Sequence, residues 1–320
     1  MQVCCLRPVH ADHIGRDAHM LSALILPNLG AMTDTQVAAV KHFVDNGGGL
    51  IATGESSLYD EWGNAREDYG LADIFGAHLT KSHRAATTFT AAHTYLRLTP
   101  ELRGQVDGPK TGNEPAITGT RHPILKGFEE TDILPYGGRL ETHNLDTGVE
   151  VLMTFIPEFP VYPPETSWMR QPKTDIPGLI INSKSKGRVA FMPADIDLRF
   201  AQGNLPDHGN LLGNLIRWAA KDNIPLHVEG TGMIDCHLYK QPGRLIMHMV
   251  NLTNSATWRQ PVHELITTGP FKVRIKLPAD VKGNSIKLLV SGKPVLPIIK
   301  NGWISFEVRS ILDHEVVVIV

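Results

Sequence analysis

Carboxylates and hydroxyls gather in two short stretches of this chain. The first, GESSLYDEWG, starts at Gly54 and carries Glu55, Ser56, Ser57, Tyr59, Asp60 and Glu61. After a buried strand, a sharp turn of this kind could present a nucleophilic serine, as a G-x-S-x-G elbow does. Gly54-Glu55-Ser56-Ser57-Leu58 lacks the second glycine in register, so a capped turn entering a loop is the plainer reading. Glu55, Asp60 and Glu61 could instead bind sugar hydroxyls or form a carboxylate pair, and Tyr59 joins them as a ligand-facing candidate. The second stretch is Pro193-Ala194-Asp195-Ile196-Asp197-Leu198-Arg199-Phe200. Asp195 and Asp197 could face a ligand, with Arg199 neutralising one of them. Alternatively Asp195 caps the turn, and Asp197 and Arg199 form a surface pair.

A third stretch is aromatic and stiff. Residues 155–177 hold six prolines and four aromatic side chains. Tyr162, Glu165, Trp168 and Arg170 on such a loop suit sugar stacking, a subunit contact or a fold back onto their own domain. Prolines restrict the backbone, so these side chains can be presented at little ordering cost. The loop is expected at the carboxyl edge of a sheet, beside Glu55 and Asp195, with Trp168 partly accessible. Among 15 histidines, His10-Ala11-Asp12-His13 has a metal-like look but matches no recognised ligand spacing. His208 is expected to cap the helix that follows it.

The elements that must carry these residues are legible in outline. Residues 22–27 form an apolar run ended by Pro27-Asn28, as expected of a strand buried on both faces. Thr33 is placed to cap a helix with Gln36 as its capping-box partner, and Val37, Val40, Phe43 and Val44 recur at helical spacing. Gly47-Gly48-Gly49 stops that helix, and residues 50–53 make the next strand. Open parallel sheets bind ligands beyond the carboxyl ends of such strands, which is where Glu55 falls. Residues 188–192 read as a third neighbour in the same parallel sheet, leading to Asp195 on the same edge. A short helix at Leu71, Ile74 and Phe75 ends at Gly76, further strands are expected at residues 95–98, 149–155 and 179–182, and residues 209–220 form an amphipathic helix. Residues 108–120 read as a long surface loop and residues 3–6 as a strand. From residue 226 strand-like runs recur at short spacing with turn signals between them, the pattern of a β-sandwich.

Composition bounds the function. Hydrophobic content of 42%, charged content of 20% and a net charge of −2 over 320 residues describe a globular chain with room for two cored domains. No basic stripe points to nucleic acid. No run approaches the roughly 18 apolar residues of a membrane span. Cys4, Cys5 and Cys236 supply neither a disulfide framework nor a CxxC metal spacing, so a reducing, cytoplasmic location is expected, with no cofactor or metal. No strand-helix unit precedes residue 22, so Met1 is expected to lie inside what is, in relatives, a longer polypeptide.

Residues 24–63, the RHPILKGF element at 121–128, and GRVAFMPADIDLRF with HGNLLGNLIRWAA further on resemble a known domain. It is the class I glutamine amidotransferase-like domain that follows the TIM barrel in family-42-type β-galactosidases, where it is called the trimerisation domain. HLYKQPGRLIMHMVNLTN and the terminal LDHEVVVIV resemble the β-sandwich that closes those proteins. The resemblance implies a flavodoxin-like doubly wound parallel sheet over residues 1–223, lacking its first strand-helix unit, and a β-sandwich over 224–320. It implies a homo-oligomer, trimer or dimer, with a TIM-barrel glycosidase as partner and a carbohydrate as ligand. Two departures limit it. Gly54 and Glu55 stand where amidotransferases carry their catalytic cysteine, and thiolate chemistry cannot run without the sulfur. The barrel, with its catalytic carboxylates, is absent. A non-catalytic accessory region is therefore expected; a small hydrolase using Ser56 or the Glu55, Asp195 and Asp197 carboxylates, or a carbohydrate-binding module, are the alternatives.

Overall fold

The computed structural model describes residues 7–84, 93–102, 121–129, 131–138, 140–160, 162–183, 186–253 and 264–320. The expected strand at residues 3–6 and loop at 108–120 lie outside them, as do Cys4 and Cys5. There are two compact units, Val9–Asp222 and Asn223–Val320, with Arg7 and Pro8 grouped with the second.

The first unit is built on strands β1 (Ala23–Leu26), β2 (Gly49–Thr53), β3 (Ala77–Arg84), β4 (Tyr95–Leu98), β5 (Ile133–Pro135), β6 (Glu141–Leu145), β7 (Glu150–Ile156), β8 (Pro177–Asn182) and β9 (Val189–Met192). Its helices are α1 (Ile14–Asp17), α2 (Asp34–Asp45), α3 (Ala72–Phe75), α4 (Ile196–Gly203) and α5 (Pro206–Ala219). Seven strands form one sheet in the order β1-β2-β9-β8-β7-β4-β5, while β3 and β6 form a separate ribbon.

The three strands expected as parallel neighbours are parallel neighbours, with Ile25 beside Ile51 and Ile51 beside Ala190. The other half departs from a doubly wound parallel sheet: β8, β7, β4 and β5 each run antiparallel to the strand before them in the sheet. For β8 and β9 the length of the connection is the reason. A parallel neighbour needs a crossover of about a dozen residues or more, and only residues 183–188 link β8 to β9.

Every residue of β2, β8 and β9 is buried, because apolar layers cover both faces. Leu50 and Ala52 join Val37, Val40, Phe43 and Val44 of α2 on one side. Ile51 joins Leu211, Leu215 and Trp218 of α5 on the other. The alternation is the period-2 geometry of a strand. Thr33 and Gln36 form the expected capping box, with reciprocal bonds of 3.1 and 3.0 Å. Gly76 closes α3 in the left-handed region at φ 65°.

The second unit holds β10 (Leu226–Glu229), β11 (Ile234–Gln241), β12 (Arg244–Asn251), β13 (Phe271–Lys276), β14 (Ile286–Leu288), β15 (Ile298–Lys300), β16 (Trp303–Val308) and β17 (His314–Ile319). They make two antiparallel sheets, β10-β13-β16-β15 and β11-β12-β17-β14. Inward residues of both sheets, among them Val273, Phe306, Met247 and Val317, form one apolar cluster that also buries Cys236. Outer residues alternate with them along β12, β13 and β17. Among the described residues no helix is long and apolar enough to cross a membrane.

Candidate functional site

β1, β2 and β9 end on one edge of the large sheet, at Leu26, Thr53 and Met192. β5 returns to that edge through two further pairings: Pro135 lies beside Tyr95, and Tyr95 beside Ile156 at the end of β7. Residues that follow these strand ends surround an open cleft of about 420 Å³. Asn28, Gly54 and Glu55 line it after β1 and β2, Pro193, Asp195 and Arg199 after β9, and Gly137, Gly138, Leu140 and Glu141 after β5.

Backbone geometry sets Glu55. Gly54 has φ 58°, and a Cβ there would lie 2.6 Å from Asn28 Oδ1. The same Asn28 Oδ1 accepts from the Glu55 amide at 2.8 Å, which fixes the turn against the end of β1. Tyr59 donates its hydroxyl to Glu55 Oε2 at 3.4 Å.

Asp195 occupies the N-cap position of α4, yet its side chain does not cap the helix. Its Oδ1 accepts the Tyr136 hydroxyl at 2.6 Å and meets Arg199 Nε at 3.4 Å, while its own amide donates to Tyr136 Oη at 3.1 Å. Tyr136 is only 3% exposed. Burial first, and the Asp195 charge second, push its hydroxyl pKa far up, so it stays a donor. Asp195 thus lines the cleft with Arg199 beside it, and does not cap the turn.

Asp197 is not part of the cleft lining. It sits in the first turn of α4, where burial raises its carboxyl pKa and a bond to Thr53 opposes the rise. Ser56 is fully buried. Its Oγ lies 2.8 Å from Thr53 O and 3.0 Å from Leu26 O, and accepts from the Leu29 amide at 3.0 Å. A hydroxyl committed to backbone groups ties two strand ends together; it is not poised for attack on a substrate. Glu61 and Trp62 are exposed, and Asp60 binds the Trp62 and Asn64 amides within its own turn.

The proline-rich loop leaves β7 at the same edge of the sheet, but Tyr162, Glu165, Trp168 and Arg170 are not in the cleft lining. Trp168 is 57% exposed, with the Arg170 guanidinium 3.7 Å from its ring centroid. Trp168→Ala should therefore leave the melting temperature within about 2 °C of the parent, as exposed substitutions do. A larger fall in a thermal melt would make the side chain structural.

His208 corrects one expectation. It lies inside the first turn of α5 rather than capping it, and its Nε2 donates to Pro135 O at 2.6 Å. His10 accepts from the Asp12 amide at 3.3 Å, a local turn contact. Among the described residues no group of three or more His, Cys, Asp or Glu side chains is placed to hold a metal ion.

His143 of β6 is buried with Nε2 3.1 Å from Tyr69 Oη, and burial lowers its pKa to about 4. In the unfolded chain it titrates near pH 6.5, so the unfolded state binds a proton first. The resulting stabilisation is whole above about pH 6.5 and is lost as pH falls towards 4, on the order of 3 kcal/mol. His78 behaves oppositely: Asp68 at 2.7 Å and Asp146 at 3.3 Å raise its pKa, so its contribution fades as pH rises. Residue-resolved imidazole NMR should find His143 titrating near pH 4 and His78 above its ordinary value. A His143 midpoint above 6 would contradict its burial.

Sequence reasoning missed Asn28, Tyr136 and Glu141. The one local signal was Tyr136-Gly137-Gly138 at the end of a short extended run, a strand end with room beside it.

No family model and no curated protein sequence matches the chain. Solved structures do. The α-L-fucosidase isoenzyme 2 from Paenibacillus thiaminolyticus matches with a TM-score of 0.63 at 18% identity, over 93% of this chain and 40% of its own. The β-galactosidase from Bacillus circulans sp. alkalophilus matches with 0.57 at 14% identity, over 96% and 34% respectively. Gan42B, a GH42 β-galactosidase, gives 0.56 at 15% identity, over 95% and 33%. The likeness is one of fold, and this chain spans about a third to two fifths of the length of the glycoside hydrolases it matches.

Proposed function

We propose that this chain is the accessory and oligomerisation region of a glycoside-hydrolase-like protein, without chemistry of its own. In this reading residues 1–223 are a flavodoxin-like, amidotransferase-derived trimerisation domain and residues 224–320 a β-sandwich, working in the cytoplasm beside a barrel glycosidase. The observation that carries it is the asymmetry of coverage: nearly all of this chain corresponds to a minority of each hydrolase. The strand-end turn supports it too. Gly54 and Glu55 offer no thiol, and the neighbouring serine hydroxyl is locked to backbone. Self-association suits β1, the outermost strand of its sheet, and β15, an outermost strand whose Ile298 and Ile299 are exposed.

A second reading, a small hydrolase, is favoured by the placement of Glu55, Glu141 and Asp195 around one cleft. Two measurements decide. Sedimentation at tens of micromolar should give a dimer or trimer; a clean monomer would remove the oligomerisation role. Aryl glycosides should not be turned over by the chain alone. Turnover abolished by Glu55→Gln and by Asp195→Asn would replace the accessory reading with the hydrolase.

A further inference from the structure

We infer that the strand-end cleft is a non-catalytic binding site for a small neutral polyol of monosaccharide size, held by the carboxylates of Glu55 and Asp195. The choice of a sugar rests on the accessory reading above; the site itself rests on its chemistry. A volume of about 420 Å³ falls within the range of small-molecule sites. Leu140 and Pro193 are the only sizeable apolar side chains among the described lining residues, too few for an apolar ligand. Among the described lining residues three carboxylates face one guanidinium, a balance that disfavours an anion. A bare metal ion lacks a suitable set of ligands among the described residues. What remains is a molecule rich in hydroxyls, which donate to carboxylates and accept from Arg199 in charge-assisted bonds.

Asp195 is prepared for such a partner. Its contacts with Tyr136 and Arg199 both fall on Oδ1, leaving Oδ2 to accept a ligand hydroxyl. Tyr136, buried behind it and bonded twice to the same residue, acts as a positioning residue that fixes the carboxylate plane. Glu55 faces the cleft from the end of β2, its backbone held by Asn28, so a ring between the two carboxylates would be gripped at separate hydroxyls.

Saturation-transfer NMR on the whole chain, with D-galactose, L-fucose and the diamine putrescine as probes, tests this. Saturable sugar binding with a dissociation constant of about 1–10 mM is expected, and little or none for putrescine. Glu55→Gln and Asp195→Asn should each weaken the sugar about tenfold or more, which is the loss of one charge-assisted bond. Tyr136→Phe should weaken it severalfold while circular dichroism stays native, and Trp168→Ala should change nothing. Glu55 is partly exposed, so its variant keeps the test informative if Asp195→Asn fails to fold. The proposal falls if no sugar binds saturably up to about 50 mM, if only putrescine binds, or if binding survives both carboxylate variants. The accessory reading fails on a different readout, hydrolysis by the chain alone, so the two outcomes cannot be confused.

Discussion

Gly49→Val should cost the first unit about 3 kcal/mol or more, enough to lower its urea midpoint sharply without altering the slope. Gly49 opens β2, where the end of α5 crosses the strand so closely that a Cβ would stand 2.1 Å from Ala219 O and 2.5 Å from its carbonyl carbon. Backbone cannot step aside as a side chain does, so the helix must lift. Lifting it breaks the bond from Arg188 Nη1 to Trp218 O at 2.9 Å and opens the layer of Leu211, Leu215 and Trp218. The neighbouring Gly48 provides the control. The nearest atoms to a Cβ there belong to the Phe43 ring, at 2.3 Å, and a ring can turn, so Gly48→Ala should cost less. Equal midpoints for Gly49→Val and the parent would mean that α5 does not sit against β2 as described.

This close approach also explains what the glycine run was for. Sequence reasoning assigned Gly47-Gly48-Gly49 to a helix stop, and only Gly47, at φ 99°, serves that purpose. The other two make room for Phe43 and for α5, distant partners that a local pattern does not reveal. The same division runs through the fold. The Thr33–Gln36 cap, the α2 face, the Gly76 stop and the alternation of β12 and β13 are local, and all were legible. Strand direction was not, because a continuous apolar run looks the same either way. The clue lay in the brevity of the link between β8 and β9. The β3–β6 ribbon escaped notice because its segments are polar and pair only with each other.

The site divides in the same manner. Glu55, Asp195 and Arg199 were readable because each follows a strand whose end falls on one edge, and the structure brings these three to one cleft. Ser56 and Asp197 share those turns but point elsewhere, since adjacent residues in a tight turn cannot all face one way. Tyr136 and Glu141 arrive from β5 and β6, and nothing near them in sequence announces that β5 returns to the edge of β9. Tyr162 and Trp168 were assigned to the site on chemical type alone. Their loop leaves the sheet at the right edge, yet its side chains line something other than the cleft.

What holds that loop is a charge, and Arg97→Met should release it. Arg97 of β4 is 7% exposed. Its Nε and Nη2 bind Asp132 Oδ2 at 3.1 and 2.7 Å, and its Nη1 donates to Pro172 O at 2.5 Å. One buried guanidinium therefore joins the strand, the start of β5 and the far side of the proline-rich loop. Methionine fills much of the volume but takes the Arg97 cation away from the Asp132 charge, and breaking a buried pair of this kind costs about 3–5 kcal/mol. Removing the charge as well, in Arg97→Met with Asp132→Asn, should narrow the stability gap to the parent. A gap that the second substitution leaves unchanged would assign the loss to packing instead. The second readout is local: with Pro172 O deprived of its donor, residues 157–176 should be cut by protease far faster in the variant under native conditions. The cleft on the other strand ends keeps its Tyr136–Asp195 bond throughout, so any sugar binding should survive in the folded fraction. Unchanged cleavage of the loop would mean that its prolines and its bonds to Phe155, from Thr174 and to Ile176, hold it without Arg97.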